Sequence, residues 1–175
     1  MSAWKWNRSY DEDENLDWLI IRDGPIVKYF SSDILEEDLK ALEDIKYQIT
    51  DLSTASWTLG NAHKKIRKGF GFPDYYGENR AAFEDCLDDM FDKGCRGLVI
   101  VLRHFDEFYY QNKDFSESIL DGIANIAWIW LLAGQRLIGI VQSDNPDLEI
   151  GEIGGKEPGW NGKEWFDADR RGGKK

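Results

Sequence analysis

Cysteine, histidine and proline are scarce in this sequence. Its 175 residues include two cysteines, two histidines and four prolines. Cys86 and Cys95 lack CxxC spacing, and His63 and His104 lie far from any ligand-like pairing with them. We therefore expect two reduced thiols in the core, and the sequence predicts no metal site and no cofactor.

Basic residues are outnumbered by acidic ones. The chain has 22 lysines and arginines against 33 aspartates and glutamates, which gives a net charge of −11. Binding to phosphates needs a basic surface, so this composition argues against a direct nucleic-acid partner. It favours a basic protein partner, although acidity also serves solubility alone.

Long apolar runs are missing as well. The most apolar stretch, residues 119–133, is interrupted by Asp121 and Asn125. It is shorter than the about 20 residues that span a bilayer. Residues 1–18 lack the basic-then-apolar order of a secretion signal. We therefore expect a cytoplasmic protein with no membrane partner.

The residues that are abundant predict a folded α/β domain. Hydrophobic residues make up 42% of the chain and aromatic residues 14%. Residues 98–102 and 137–141 are continuously apolar, which is typical of strands covered on both faces in a parallel sheet. Alternation predicts a further strand over 45–52. Because each parallel connection needs a crossover, the order of elements predicts a small parallel β-sheet packed by helices.

Helical spacing and capping residues predict the connecting helices. One helix is expected to begin after Ser53 or Thr54, to carry Ala55 and Leu59 on its apolar face, and to stop at Gly69. The remaining helices of this part are expected over 79–92, 105–110 and 116–133.

The N-terminal part predicts an added hairpin and helix. Residues 18–21 and 26–30 resemble two short strands joined by a turn at 22–25. A helix capped within 31–33 is then expected to run to about Asp44.

The chain is accordingly divided into three segments. An extension over 1–45, with a polar leader over 1–15, packs on a central domain over 46–142. An irregular C-terminal tail over 143–175 follows. Three aromatic residues suggest that part of this tail packs back on the domain: Trp160, Trp165 and Phe166.

The predicted helix over 79–92 has two different halves. Its apolar half consists of Ala82, Phe83, Cys86, Leu87, Met90 and Phe91. Its acidic half consists of Glu84, Asp85, Asp88, Asp89 and Asp92. The acidic half is either an ordinary solvated surface or a binding surface.

Two adjacent tyrosines precede this helix. The loop over 72–78 places Tyr75, Tyr76 and Gly77 beside the acidic half. Aromatic side chains are enriched at the centres of interfaces, so the loop and the acidic half form a candidate binding edge. We expect one tyrosine ring to point into the core and the other to point outward.

Residues 71–87, GFPDYYGENRAAFEDCL, resemble the binding loop and second helix of the barstar family. In that family a Pro-x-Tyr-Tyr-Gly-x-Asn run precedes a helix with acidic inhibitor residues and a buried cysteine. Residues 98–105 and 117–120 resemble a later strand and the start of the last helix, so the resemblance covers about 46–142. It implies a barstar-like fold and a non-enzymatic inhibitor whose partner is a cognate basic ribonuclease toxin.

The resemblance also implies roles for single residues. Asp85 matches the family's principal inhibitory aspartate, and Tyr75 matches the tyrosine that lies over the nuclease's catalytic base. Gly77 and Asn79 match loop positions that contact the partner, and Tyr76 matches the neighbouring ring.

Several positions depart from the family pattern. Ala81 replaces a second contact aspartate, Glu84 a contact tryptophan and Arg80 a leucine. Ile126 lies near the position of a family contact glutamate. The candidate partner-binding residues are Tyr75, Tyr76, Gly77, Asn79, Arg80, Glu84, Asp85 and Asp88.

Two other classes of function remain open. Asp85 with Asp88 or Asp89 could form the acid–base pair of a small hydrolase, which would need a deep pocket. A metal site at the same acids would lack the regular oxygen spacing of an EF-hand. The other class is an acidic interaction module with a barstar-like fold and a partner that is not a nuclease.

Overall fold

A computed structural model of the protein describes residues 16–90 and 92–165. The predictions for the leader over 1–15, for Phe91 and for Phe166 fall outside these residues. The described residues form six α-helices, five β-strands and a final 3-10 turn: α1 Leu16–Ile21, β1 Ile26–Tyr29, α2 Ser32–Asp44, β2 Tyr47–Ser53, α3 Ala62–Phe70, α4 Arg80–Asp88, β3 Gly97–Arg103, α5 Phe105–Gln111, α6 Lys113–Leu132, β4 Arg136–Gln142, β5 Gly159–Trp160 and the turn Gly162–Trp165.

The five strands form one parallel sheet in the order β2-β3-β4-β1-β5. In its interior, Val99 of β3 lies opposite Ile138 of β4, and Val101 lies opposite Ile140. Both strands are buried along nearly their whole length, as expected for strands covered on both faces. The predicted α/β class, with a small parallel sheet packed by helices, is confirmed.

Alternate strand residues fill a separate core on each face of the sheet. Leu98 and Ile100 pack in a cluster with buried residues of α3, α4, α5 and α6. Val99 and Val101 pack on the other face with Leu35 and other apolar residues of α2. No helix within 16–90 or 92–165 is long and apolar enough to cross a membrane.

Residues 18–21 are helical, so the predicted N-terminal hairpin is wrong. They belong to α1, and β1 pairs in parallel with β4 and β5 instead. The buried carboxylate of Asp17 accepts hydrogen bonds from the Tyr47 hydroxyl at 2.7 Å and from Arg96 Nε at 3.0 Å. A third bond comes from an Arg136 guanidinium nitrogen at 2.8 Å. A short apolar run does not distinguish helix from strand, whereas these contacts hold α1 against the sheet.

The helix α3 begins later than predicted. Ala55 and Leu59, which were expected on its apolar face, are exposed. The segment before α3 instead folds as turns around the buried Trp57. The helix also continues past Gly69, and Gly71 ends it in the left-handed conformation with φ +69°. The helix α2 matches its prediction, with Ser31 as its N-cap.

The segment after β4 is less irregular than predicted. It contributes β5, which pairs with β1 at the edge of the sheet, and Trp160 packs against the larger core. The buried Glu164 accepts hydrogen bonds from the backbone N–H groups of Phe30 at 2.9 Å and Ser31 at 3.0 Å, just before α2. Both predicted extensions therefore contribute strands to the same sheet as the central segment.

Candidate protein-binding surface

The two adjacent tyrosines point in opposite directions, as the sequence predicted. Tyr75 is 81% exposed, whereas Tyr76 is 5% exposed. The ring of Tyr76 packs beside that of Phe72, with 5.3 Å between the ring centroids. Burial raises the pKa of the Tyr76 hydroxyl above its usual value, so this group keeps its proton at neutral pH. The buried ring therefore positions the loop, and the exposed ring is available to a partner.

His63 supports this loop from α3. Its Nδ1 lies 2.7 Å from the Tyr76 hydroxyl, and its ring meets that of Phe115 edge-on at 5.1 Å between centroids. Burial lowers the pKa of His63, while the nearby Glu78 partly opposes this shift. The sequence indicated only that His63 is not paired with a cysteine in a metal site. Its support of Tyr76 depends on packing between residues that no sequence spacing connects.

Gly77 and Asn79 give the loop its shape. The Asn79 side chain accepts a hydrogen bond from the backbone N–H of Ala82 at 2.9 Å and donates one to the Gly77 carbonyl at 2.9 Å. Asn79 is thus the N-cap of α4. A Cβ atom at position 77 would lie 3.1 Å from Asn79 Nδ2, which leaves little room for a larger residue. Both residues join the exposed tyrosine to the helix at a fixed geometry.

Asp85 of α4 and Asp89, the C-cap of this helix, carry carboxylates that face solvent. Both are exposed, and neither side chain makes a hydrogen bond or ion pair with any residue in the described ranges. On the opposite side of the helix, Phe83, Cys86 and Leu87 are buried, as predicted. A buried acid–base pair of the hydrolase type is not formed here, because both carboxylates face solvent.

The carboxylates of Asp88 and Asp92 accept hydrogen bonds from other groups of the protein. One oxygen of Asp88 accepts a hydrogen bond from the indole Nε1 of the buried Trp130 at 2.8 Å. The helix ends at Asp88, earlier than predicted, so Asp92 lies in a loop and accepts the backbone N–H of Gly94 at 2.7 Å. The acidic half of the helix is therefore smaller than the sequence pattern indicated.

Arg80 and Glu84 form an ion pair one helical turn apart. Arg80 Nε donates to Glu84 Oε1 at 2.7 Å, and Glu84 Oε2 accepts from Asn125 Nδ2 of α6 at 3.1 Å. A second guanidinium nitrogen of Arg80, Nη1, lies 3.8 Å from Oδ2 of Asp121. Ile126 is buried, so the exposed residue of α6 beside this pair is Asn125. Two of the candidate binding residues are thus already paired with each other.

The two cysteines are free, but they differ in environment. Cys86 is buried in α4, and burial raises the pKa of its thiol, with smaller contributions from Asp89 and Asp85. Cys95 is partly exposed in the loop before β3, so the prediction of two core thiols is wrong for this residue. No group of three or more potential metal ligands occurs in the part of the chain that the structure describes.

Comparison with known proteins identifies the family. A family model described as barstar (barnase inhibitor) matches residues 50–141, which is 92 of the 175 residues. The match runs from within β2 to within β4 and contains the tyrosine loop and α4. A search of curated proteins found no match. The predicted resemblance is confirmed, and this chain belongs to the barstar family, whose members are inhibitors rather than enzymes.

Proposed function

We propose that this protein inhibits a basic ribonuclease by inserting Tyr75 and Asp85 into its active site. The observation that carries the proposal is that both side chains are exposed next to a rigid, buried framework, within the segment matched to the inhibitor family. Tyr75 is held by its buried neighbour Tyr76, and Asp85 is held by the packed face of α4.

The chemistry of such a complex follows from the charges. A ribonuclease collects cationic groups that hold phosphates and stabilise the developing negative charge of its transition state. A carboxylate at position 85, with a second one at position 89, replaces the RNA backbone among these cations. The exposed ring of Tyr75 supplies apolar contact area beside the charges at little cost in side-chain entropy.

The eight candidate residues divide into three groups under this proposal. Tyr75 and Asp85 contact the nuclease directly, while Tyr76, Gly77 and Asn79 maintain the shape of the loop. The other three make contacts within the protein: Arg80, Glu84 and Asp88. In the cell, the proposed role is that of a cytoplasmic immunity protein that protects against a ribonuclease toxin.

A second candidate function is an acidic interaction module whose partner is not a nuclease. The observation in its favour is the Arg80–Glu84 pair, which neutralises part of the surface that the ribonuclease proposal uses. An inhibition assay separates the two functions.

The full chain is titrated into barnase and into a panel of other basic microbial ribonucleases, with cleavage of a fluorogenic RNA as the readout. Inhibition of at least one ribonuclease at a one-to-one ratio is expected. Asp85→Ala should inhibit less well, and Asp44→Ala is its matched control. Asp44 is an exposed acid of α2, which lies across the sheet from α4, and its removal changes the net charge by the same amount as the removal of Asp85. A chain that inhibits no ribonuclease would favour the interaction module.

A further inference from the structure

A cation lies within the proposed binding surface. Arg80 is the first residue of α4, and its side chain is 46% exposed, while that of its partner Glu84 is 21% exposed. Arg80 directly follows Asn79, the residue that joins the tyrosine loop to α4, so its side chain begins at the junction of the loop and the helix. A partner that covers this loop therefore also meets the guanidinium group of Arg80.

Contacts from three parts of the fold hold this cation in place. Glu84 binds Arg80 through one oxygen and Asn125 of α6 through the other. Asp121 of α6 lies 3.8 Å from Nη1 of Arg80. Its carboxylate also accepts a hydrogen bond from the backbone N–H of Gly154 at 2.9 Å. Arg80 thus contacts α4 and α6 directly, and the segment after β4 holds Asp121, so the guanidinium group has a preferred position before a partner binds.

Local helix stability does not account for an arginine at this position. The first turn of α4 contains no acidic residue, and a cation in the first turn is opposed by the positive end of the helix dipole. A single ion pair four residues apart on a helix also stabilises it only slightly. The Arg80 side chain is 46% exposed, so part of its charge is available to a partner.

We propose that Arg80 is a specificity-determining residue, which selects a ribonuclease with an acidic side chain opposite it and rejects clefts that place cations or apolar groups there. The inference rests on the proposed function, since it assumes that this surface binds a ribonuclease. Asp85 is complementary to the partner's cations, and Arg80 is complementary to a carboxylate beside them. A fixed charge of the wrong sign discriminates between partners because an unmatched buried charge lowers affinity strongly.

The test uses the full chain and barnase as the probe. Barnase affinity and inhibition are measured at low salt for the wild-type chain and for Arg80→Leu, Arg80→Lys and Arg22→Leu. Arg80→Leu is expected to bind barnase at least about tenfold more tightly than the wild type, because a cation no longer faces a cationic cleft. Arg80→Lys keeps the charge and should behave as the wild type. Arg22→Leu removes an equal charge from the turn after α1 and should also change little.

A second measurement tests the carboxylate directly. Barnase variants with single glutamate substitutions around the rim of the active site are paired with the wild-type chain and with Arg80→Leu in double-mutant cycles. At least one substitution should raise the affinity of the wild-type chain about tenfold or more relative to that of Arg80→Leu. Equal affinities of the wild type and Arg80→Leu for barnase, or cycles without coupling, would overturn the inference. If the wild-type chain still inhibits a ribonuclease of the panel, the proposed function stands despite that result.

Discussion

The hydroxyl group of Tyr76 lies 2.7 Å from Nδ1 of His63, and this contact joins the tyrosine loop to α3. The exposed Tyr75 has no such contact in the described residues, so its position depends on that of its buried neighbour. A histidine at this point makes the support of the loop sensitive to pH.

We expect the free energy of unfolding to fall as the pH drops below about 6.5, the usual pKa of histidine. Burial lowers the pKa of His63 in the folded state, so the unfolded chain binds the proton more readily. The stabilisation is complete above the unfolded pKa and is lost as the pH falls through the folded pKa. Urea unfolding between about pH 8 and about pH 5.5 measures this change. His63→Gln should flatten the dependence, and equal slopes in the wild type and His63→Gln would contradict the assignment.

Asp85→Ala should weaken binding to the inhibited ribonuclease by about 2–5 kcal/mol, because it leaves the partner's cations buried and unpaired. The thermal midpoint should stay nearly unchanged, since the Asp85 side chain has no bonding partner among the described residues. Isothermal titration calorimetry measures the binding, and Asp44→Ala provides the control. Equal affinities of Asp85→Ala and the wild type would remove Asp85 from the interface.

The association rate of the complex should fall steeply as the salt concentration rises. Long-range attraction between a chain of net charge −11 and a basic nuclease accelerates their encounter, and dissolved ions screen it. Stopped-flow fluorescence at several salt concentrations gives the rate. A rate that does not depend on salt would argue against attraction between acidic and basic surfaces.

Asp88→Ala should lower the free energy of unfolding by about 1 kcal/mol, although Asp88 lies on the same helix as Asp85. The substitution removes the acceptor of the hydrogen bond from the buried Trp130 indole. Urea denaturation compares it with Asp89→Ala, whose carboxylate is exposed and makes no bond in the described part of the chain. If both variants lose the same stability, the indole bond contributes little.

Glu164→Ala should lower the free energy of unfolding by about 1–3 kcal/mol. Its carboxylate accepts two backbone N–H groups just before α2, and without it these donors lose their protein acceptor inside a partly buried site. Glu157→Ala is the matched control, because that glutamate is exposed in the same segment. Urea denaturation curves that coincide for the two variants would show that Glu164 is not a structural cap.

The accurate sequence predictions concern elements with strong local signals. The strands near 98–102 and 137–141 were identified because each run is continuously apolar, and the helix near 116–133 was identified because its apolar pattern is long. The prediction that one tyrosine ring points inward and the other outward is also confirmed. The family was identified from the motif over 71–87, and the family match over 50–141 confirmed it.

The inaccurate predictions concern elements that are stabilised by distant residues. Residues 18–21 are helical because Asp17 is held by three side chains far away in the sequence. The internal hydrogen bond of Asp88 could not be predicted from local spacing either, since its donor Trp130 lies 42 residues away in the sequence. Helical periodicity assigns each acid to a face of the helix but does not show what that face meets.

The sequence by itself determined the α/β class, the parallel sheet, the family motif and the acidic character of α4, because these depend on local pattern and composition. Only the tertiary structure decided that β1 and β5 complete the sheet, that His63 supports Tyr76, and that Arg80 pairs with Glu84 and Asp121. The physical reason is that hydrogen bonds and ion pairs between distant residues depend on how the elements pack, and a single sequence does not encode that packing in any local spacing.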